Sequence, residues 1–244
     1  MTKIENKKHI NAKRLVFGLV LFGLSMAFFE SAVVVYLREI SYSKGFSFPM
    51  NPIPDTIAVT EIIRELASLI MILAVAYLAG KSFLQRFANF LFIFALWDIF
   101  YYVFLKLLLG WPVSLLTWDI LFLIPVVWSG PVIAPIFISL LMILLAGIIY
   151  KFELRFTGRY YINLKEWLIL LGGAVVIFVS FIYDFMKFMV ESAGNLIVSP
   201  DKLNQLVLKY IPTQFNWSLF IIGVAVLLFS FYLIHKGFNN QFHS

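Results

Sequence analysis

The chain has 244 residues, 62% of them hydrophobic and 13% charged, with a mean hydropathy of +0.94. A soluble domain of that length has no core large enough to hide so much apolar surface, so the excess faces lipid, and the formal charge of +6 reads as membrane topology rather than nucleic-acid binding. The absence of cysteine excludes disulfides, thiolate metal sites, iron–sulfur clusters and cysteine nucleophiles.

In chain order, residues 1–14 (MTKIENKKHINAKR) form a basic cytoplasmic N-terminus, and residues 15–244 a single polytopic domain. The apolar run from Leu15 to Leu37 is too long for a signal-peptide core and shows no small-x-small cleavage site, so it is the first span. Five further stretches reach the roughly 20 residues needed to cross the hydrocarbon core. They are residues 57–80, 88–109, 131–150, 167–190 and 217–235. Residues 111–130 are apolar but interrupted by Pro112, Pro125 and Pro131 (the last just beyond), which predicts a re-entrant or proline-broken helix over Val113–Leu123, with a kinked seventh span as the alternative.

Charge bias separates these two. With the N-terminus cytoplasmic, six spans place 12 Lys and Arg inside and 4 outside (Arg38, Lys44, Lys202 and Lys209), whereas seven spans give 9 and 7. The expectation is therefore an all-α membrane protein with six transmembrane helices. Ser199 and Pro200 mark the start of a further short helix closed by Pro212, and the spacing of Leu203, Leu206, Val207 and Tyr210 predicts that it lies on the outer membrane surface.

Ionisable residues inside spans each cost about 2.5–3.5 kcal/mol on insertion scales, and this sequence keeps many of them. Glu30 shares a helix face with Gly23 and Ala27, small residues that admit a neighbouring helix. Glu61, Arg64, Glu65 and Ser68 fall at i, i+3, i+4 and i+7, one polar stripe. Asp98 shares a face with Tyr101 and Tyr102, and Lys106 follows. Asp119 lies in the proline-rich segment, in a second Trp-Asp-Ile string like that at 97–99. In the six-span orientation these groups fall in the outer half of the membrane. They predict an outward-facing acidic pocket, flanked by Trp97 and Trp118, with Arg64, Lys106 and Arg38 as counter-charges. Asp184 and Lys187 read as a surface pair near the headgroups.

The available chemistry is oxygen chemistry. His9, His235 and His243 all lie outside span interiors, which disfavours haem and di-iron ligation and Ser-His nucleophiles, and the last span has no lysine for a retinal Schiff base. A hard divalent cation would use Glu61, Asp98 and Asp119. Three functions fit: proton or cation binding or transport; a membrane-embedded enzyme acting on a lipid or isoprenoid headgroup with a divalent cation; and a non-catalytic assembly or scaffold subunit whose buried charges only fix helix registry. The partners expected are the bilayer and a small solute, ion or lipid headgroup.

The strings FESAVVVYLR (29–38), EIIRELASLIMILAVAYLAG (61–80), WDIFYY (97–102), GWPVSLLTWDILFLIP (110–125) and GPVIAP (130–135) resemble a family of uncharacterised bacterial multi-pass inner-membrane proteins. The resemblance covers about residues 28–137 and implies a bacterial inner-membrane location. It implies no reaction and no catalytic residue.

Overall fold

The computed structural model describes residues 3–42, 45–155 and 161–243, with side chains described except at 3–12, 154–155, 200–201 and 242–243. Lys44, counted above among the external cations, lies outside the described residues, as do residues 156–160. The elements are α1 (Lys3–Ser41), α2 (Asp55–Ala79), α3 (Phe83–Leu109), β1 (Trp118–Phe122), β2 (Trp128–Pro131), α4 (Ile133–Arg155), α5 (Leu164–Ala193), α6 (Pro200–Val207) and α7 (Trp217–His243). Among the described residues six helices are long and apolar enough to span a membrane: α1 through α5 and α7. The protein is an all-α polytopic membrane protein, and no helix forms between α3 and α4.

The helices start and stop where local chemistry dictates. Ser82 caps α3, its hydroxyl accepting the Gln85 N–H at 3.1 Å, and Gly110 ends it with φ 67°, a left-handed conformation that costs a side-chain-bearing residue about 1–2 kcal/mol. Asn163 and Glu166 form a reciprocal capping box at the start of α5. Ser199 caps α6, accepting from the Lys202 N–H.

The chain divides into two compact units. The first comprises residues 1–35, 67–113 and 136–157; the second comprises residues 36–66, 114–135 and 158–244.

In the first unit, α1 and α3 run side by side in the same direction. A Cβ on Gly23 would stand 3.0 Å from Leu96 Cβ, and further along both helices Ser31 Oγ donates to Tyr101 O at 3.2 Å. Phe28 and Phe104 meet edge to face at 5.4 Å. By contrast, α4 runs antiparallel to α3: Ser139 meets Asp98, Tyr150 meets Asn89, and Glu153 meets Ser82 and Gln85. The connection between α3 and α4 therefore leaves and returns at one end, which removes the seven-span alternative. Fully buried Asn89 also donates to Ala76 O at 3.2 Å, so one side chain ties α2, α3 and α4 together.

In the second unit α5 and α7 pack antiparallel through glycines. A Cβ on Gly223 would fall 2.6 Å from Ile177 Cγ1, one on Gly173 would fall 2.9 Å from Leu227 Cδ2, and one on Gly237 would fall 2.6 Å from Glu166 Oε1. Bare backbone at these points lets the helices approach closely. At one end of this pair the connections gather into a cap: the end of α1, the start of α2, the β1–β2 hairpin and α6. Val127, Phe185, Met189, Leu206 and Tyr210 form its apolar core.

The re-entrant or broken helix expected over 111–130 is a two-stranded antiparallel hairpin. Trp118 pairs with Pro131, Asp119 with Gly130, Ile120 with Ser129 and Phe122 with Trp128, with an irregularity between Ile120 and Phe122. Prolines at 112, 125 and 131 break any helix carried through this segment, while the aromatic and β-branched residues Trp118, Ile120 and Phe122 suit a strand. Helix α6 forms as expected, but its apolar face is used on protein. Leu206 and Tyr210 are in the cap core, with Leu203 and Val207 packed against it.

Candidate functional site

The sequence-predicted residues separate by unit. Glu30, Asp98, Tyr101, Tyr102 and Lys106 belong to the first, and Arg38, Glu61, Arg64, Glu65 and Asp119 to the second.

In the second unit the stripe on α2 faces inward. Glu61 and Glu65 are each 9% exposed, whereas Ile62 and Ile63 between them are 43% and 60% exposed. This is the helical period at work: an interior carboxylate face and an apolar exterior. Arg64 binds Glu61 through Nε at 2.8 Å and through the terminal nitrogen at 2.7 Å. Glu65 accepts the backbone N–H of Leu123 with its two carboxylate oxygens, at 3.2 and 3.0 Å. Asp119, on the strand face turned to the interior, stands 3.8 Å from Arg38, whose guanidinium also lies 4.8 Å from the centre of the Phe46 ring. Trp118 packs edge to face on Phe215 at 6.3 Å.

A carboxylate with a full hydrogen-bond set is one that sequence reasoning placed among the headgroups. Asp184 is 7% exposed, not a surface residue. One oxygen accepts from Tyr210 OH at 2.8 Å and Thr213 N at 3.1 Å; the other accepts from Thr213 Oγ1 at 2.8 Å and Gln214 N at 3.2 Å. Tyr210 OH also lies 2.6 Å from Ser129 Oγ on β2. Burial raises the Tyr210 pKa well above that of a free tyrosine, and the adjacent Asp184 charge acts in the same direction. Asp184 thus joins α5 to the segment after α6, and Tyr210 links both to the hairpin. Lys187 pairs instead with Glu191 one turn on, at 3.8 Å, both well exposed. The signal was present in the sequence as an aspartate followed 26–30 residues later by Tyr, Thr and Gln, but only the return of the chain alongside α5 makes it legible.

A second aromatic clasp holds the loop between α1 and α2. Asn51 donates its backbone N–H to Tyr42 OH at 3.0 Å and its side-chain amide to Ser41 O at 2.6 Å, and Phe48 meets Tyr210 edge to face at 6.3 Å. Burial raises the Tyr42 pKa, against the opposing pull of the Asn51 hydrogen bond and of Arg38.

In the first unit Asp98 is half-buried and accepts from Ser139 Oγ at 2.9 Å. Glu30 is 8% exposed and precedes Ser31, which is hydrogen-bonded to α3. The rings of Tyr101 and Tyr102 contact each other at 4.9 Å. Lys106 is spent on the end of its own helix, donating to Gly110 O at 3.0 Å and Pro112 O at 2.8 Å. That is the C-terminal lysine cap expected from the helix dipole. Trp97 is buried and meets Phe94 edge to face.

Among the described residues no group of three or more His, Asp or Glu side chains is placed to hold a metal ion. No protein-family model matches the chain, and neither does any curated protein or solved structure.

Proposed function

We propose that this polytopic membrane protein is a non-catalytic assembly or scaffold subunit, in the bacterial inner membrane with its N-terminus cytoplasmic, and that the charges of its second unit are clasps that hold a rigid cap. The observation that carries this reading is the bonding of the carboxylates. Asp184 takes four hydrogen bonds, Glu65 takes the Leu123 N–H just past β1, Glu61 takes Arg64, and Asp119 faces Arg38. An exchange site needs ligand positions that open and close, whereas a carboxylate filled by its own chain's donors resists exchange. The test pairs flux with stability. In liposomes under an imposed pH gradient, the protein leaks neither protons nor cations above a protein-free control, while Asp119→Asn and Glu65→Gln lower the melting temperature. Gradient-driven flux that these substitutions abolish at unchanged melting temperature would overturn the reading.

One observation favours a second reading, proton exchange at Asp98. This residue lies near the middle of α3, is half-buried, and accepts from the neutral Ser139 hydroxyl. Carboxylates at such depth are expensive to keep, which makes them functional sites by default. Proton uptake by the reconstituted protein that is lost in Asp98→Asn and retained in Ser139→Ala would establish it. Unchanged uptake in Asp98→Asn would remove it.

A further inference from the structure

Three features of the second unit place the β1–β2 hairpin against the bilayer interior. First, the antiparallel register of α5 and α7 is fixed by Gly223 against Ile177 and Gly173 against Leu227. That register sets Trp217, the first residue of the last span, level with residues 183–184 of α5. Trp128 of β2 stacks on Phe181 and meets Phe178 edge to face at 4.8 Å. At 1.5 Å per residue these rings lie about 3–8 Å further into the span than Trp217, an aromatic residue of the kind that marks the interface.

Second, α2 reaches the hairpin through Glu65, and at that level its outward side chains are Val59, Ile62, Ile63 and Leu66, all 43–60% exposed. Outward apolar exposure on both sides of a buried carboxylate is what a helix shows when its exterior is lipid. Third, the hairpin turn is apolar throughout, and while Leu123, Val126 and Val127 are taken up by the cap core, Ile124 and Pro125 at its tip stand outside that core.

We propose that the hairpin is an intramembrane element whose tip, Ile124 and Pro125, contacts acyl chains of the cap-side leaflet, and that Glu65 is the positioning residue that holds it there. In hydrocarbon every backbone polar group needs a partner from the protein, because water is absent. A two-stranded sheet leaves outer edges, and these are the groups at risk. The Glu65 carboxylate supplies the acceptor for Leu123 N–H where β1 ends. At the open end of the hairpin, before β1 and after β2, the two arms stay paired: Thr117 O accepts Val132 N–H at 3.0 Å and Leu115 O accepts Ile133 N–H at 2.8 Å. Pro131 has no N–H to satisfy. The inference stands apart from the scaffold reading, since an intramembrane hairpin serves a transporter or an enzyme equally.

The test uses the absence of native cysteine. Single nitroxides are introduced by Ile124→Cys at the hairpin turn, Leu66→Cys as the lipid reference and Asn204→Cys on the exposed face of α6 as the water reference. Collisions with oxygen and with a water-soluble nickel chelate are measured in nanodiscs. The expected result is that position 124 matches position 66, favouring oxygen. Adding Glu65→Leu moves position 124 towards the nickel chelate, while Glu65→Gln, which keeps one acceptor oxygen, leaves it in place. Nickel accessibility at position 124 equal to that at 204, with Glu65 intact, would overturn the intramembrane placement. A position 124 unmoved by Glu65→Leu would overturn the part assigned to Glu65. The first comparison needs no change at Glu65, so it holds even if the leucine variant does not fold.

Discussion

Asp184→Asn is the sharpest perturbation of the cap. Each carboxylate oxygen accepts one hydroxyl and one backbone N–H. An asparagine replaces one oxygen with an amide nitrogen. The hydroxyl on that side can rotate to accept from the amide, but the backbone N–H of Thr213 or Gln214 cannot. The loss is therefore at least one hydrogen bond to a charged acceptor, about 1.5–3 kcal/mol, and about twice that if the hydroxyl does not adapt. A change of about 3 kcal/mol in a chain of this size lowers the melting temperature by roughly 6–12 °C. Thermal unfolding in nanodiscs, followed by tryptophan emission, reports it, because Trp118, Trp128 and Trp217 pack in the same unit. A shift smaller than about 2 °C would correspond to under about 1 kcal/mol and would refute the argument that these four donors hold the cap.

Tyr210→Phe removes the hydroxyl between Ser129 and Asp184, and its cost and that of Asp184→Asn should be non-additive by about 0.5–3 kcal/mol in a double-mutant cycle. Because the folded pKa of Tyr210 is raised above its unfolded value near 10, its contribution is fully present below pH 10. It falls above that value, where only the unfolded chain loses the proton. Melting temperature should therefore decline more steeply above pH 10 in the wild type than in Tyr210→Phe, as a pH series of melts would show. Gly223→Ala forces a methyl to 2.6 Å from Ile177 Cγ1 and 3.0 Å from Ile177 N and should destabilise by about 1–3 kcal/mol, measured in the same way, whereas Gly147→Ala, with nothing within 4 Å of its Cβ, should be neutral or stabilising. Asn89→Leu leaves Ala76 O and the Tyr150 hydroxyl without their partner, and should cost about 1–3 kcal/mol.

The span count was legible because a bilayer imposes a length on any helix that crosses it, and loop charge biases the two sides. The inward stripe on α2 was legible for a similar reason: helical period alone sets which residues share a face, and Glu61, Arg64 and Glu65 do face the interior together. What periodicity does not carry is the long-range partner. The same Trp-Asp-Ile string is helical at 97–99 and a strand at 118–120, because prolines surround only the second. Lys106 looked like a counter-charge for a pocket, but Gly110 ends its helix one turn later and presents carbonyls within its reach. Asp184 looked superficial because it stands near a span end. It is buried because α6 and the segment after it return to cover it, a contact between residues 26–30 positions apart that leaves no local pattern.

Asp184, Glu61, Glu65 and Asp119 of the second unit each have a partner within the chain itself. The most direct test of their role as clasps is the melting temperature of the nanodisc-embedded protein titrated with Mg²⁺, Ca²⁺ and Mn²⁺, in the wild type and in Glu61→Gln and Asp119→Asn. A site that bound such an ion would stabilise the fold by about 2.7 kcal/mol at a hundred times its dissociation constant. The expected result is no cation-dependent shift in any of the three proteins, and a lower starting temperature in both variants. A saturable rise in the wild type that either substitution abolishes would contradict it.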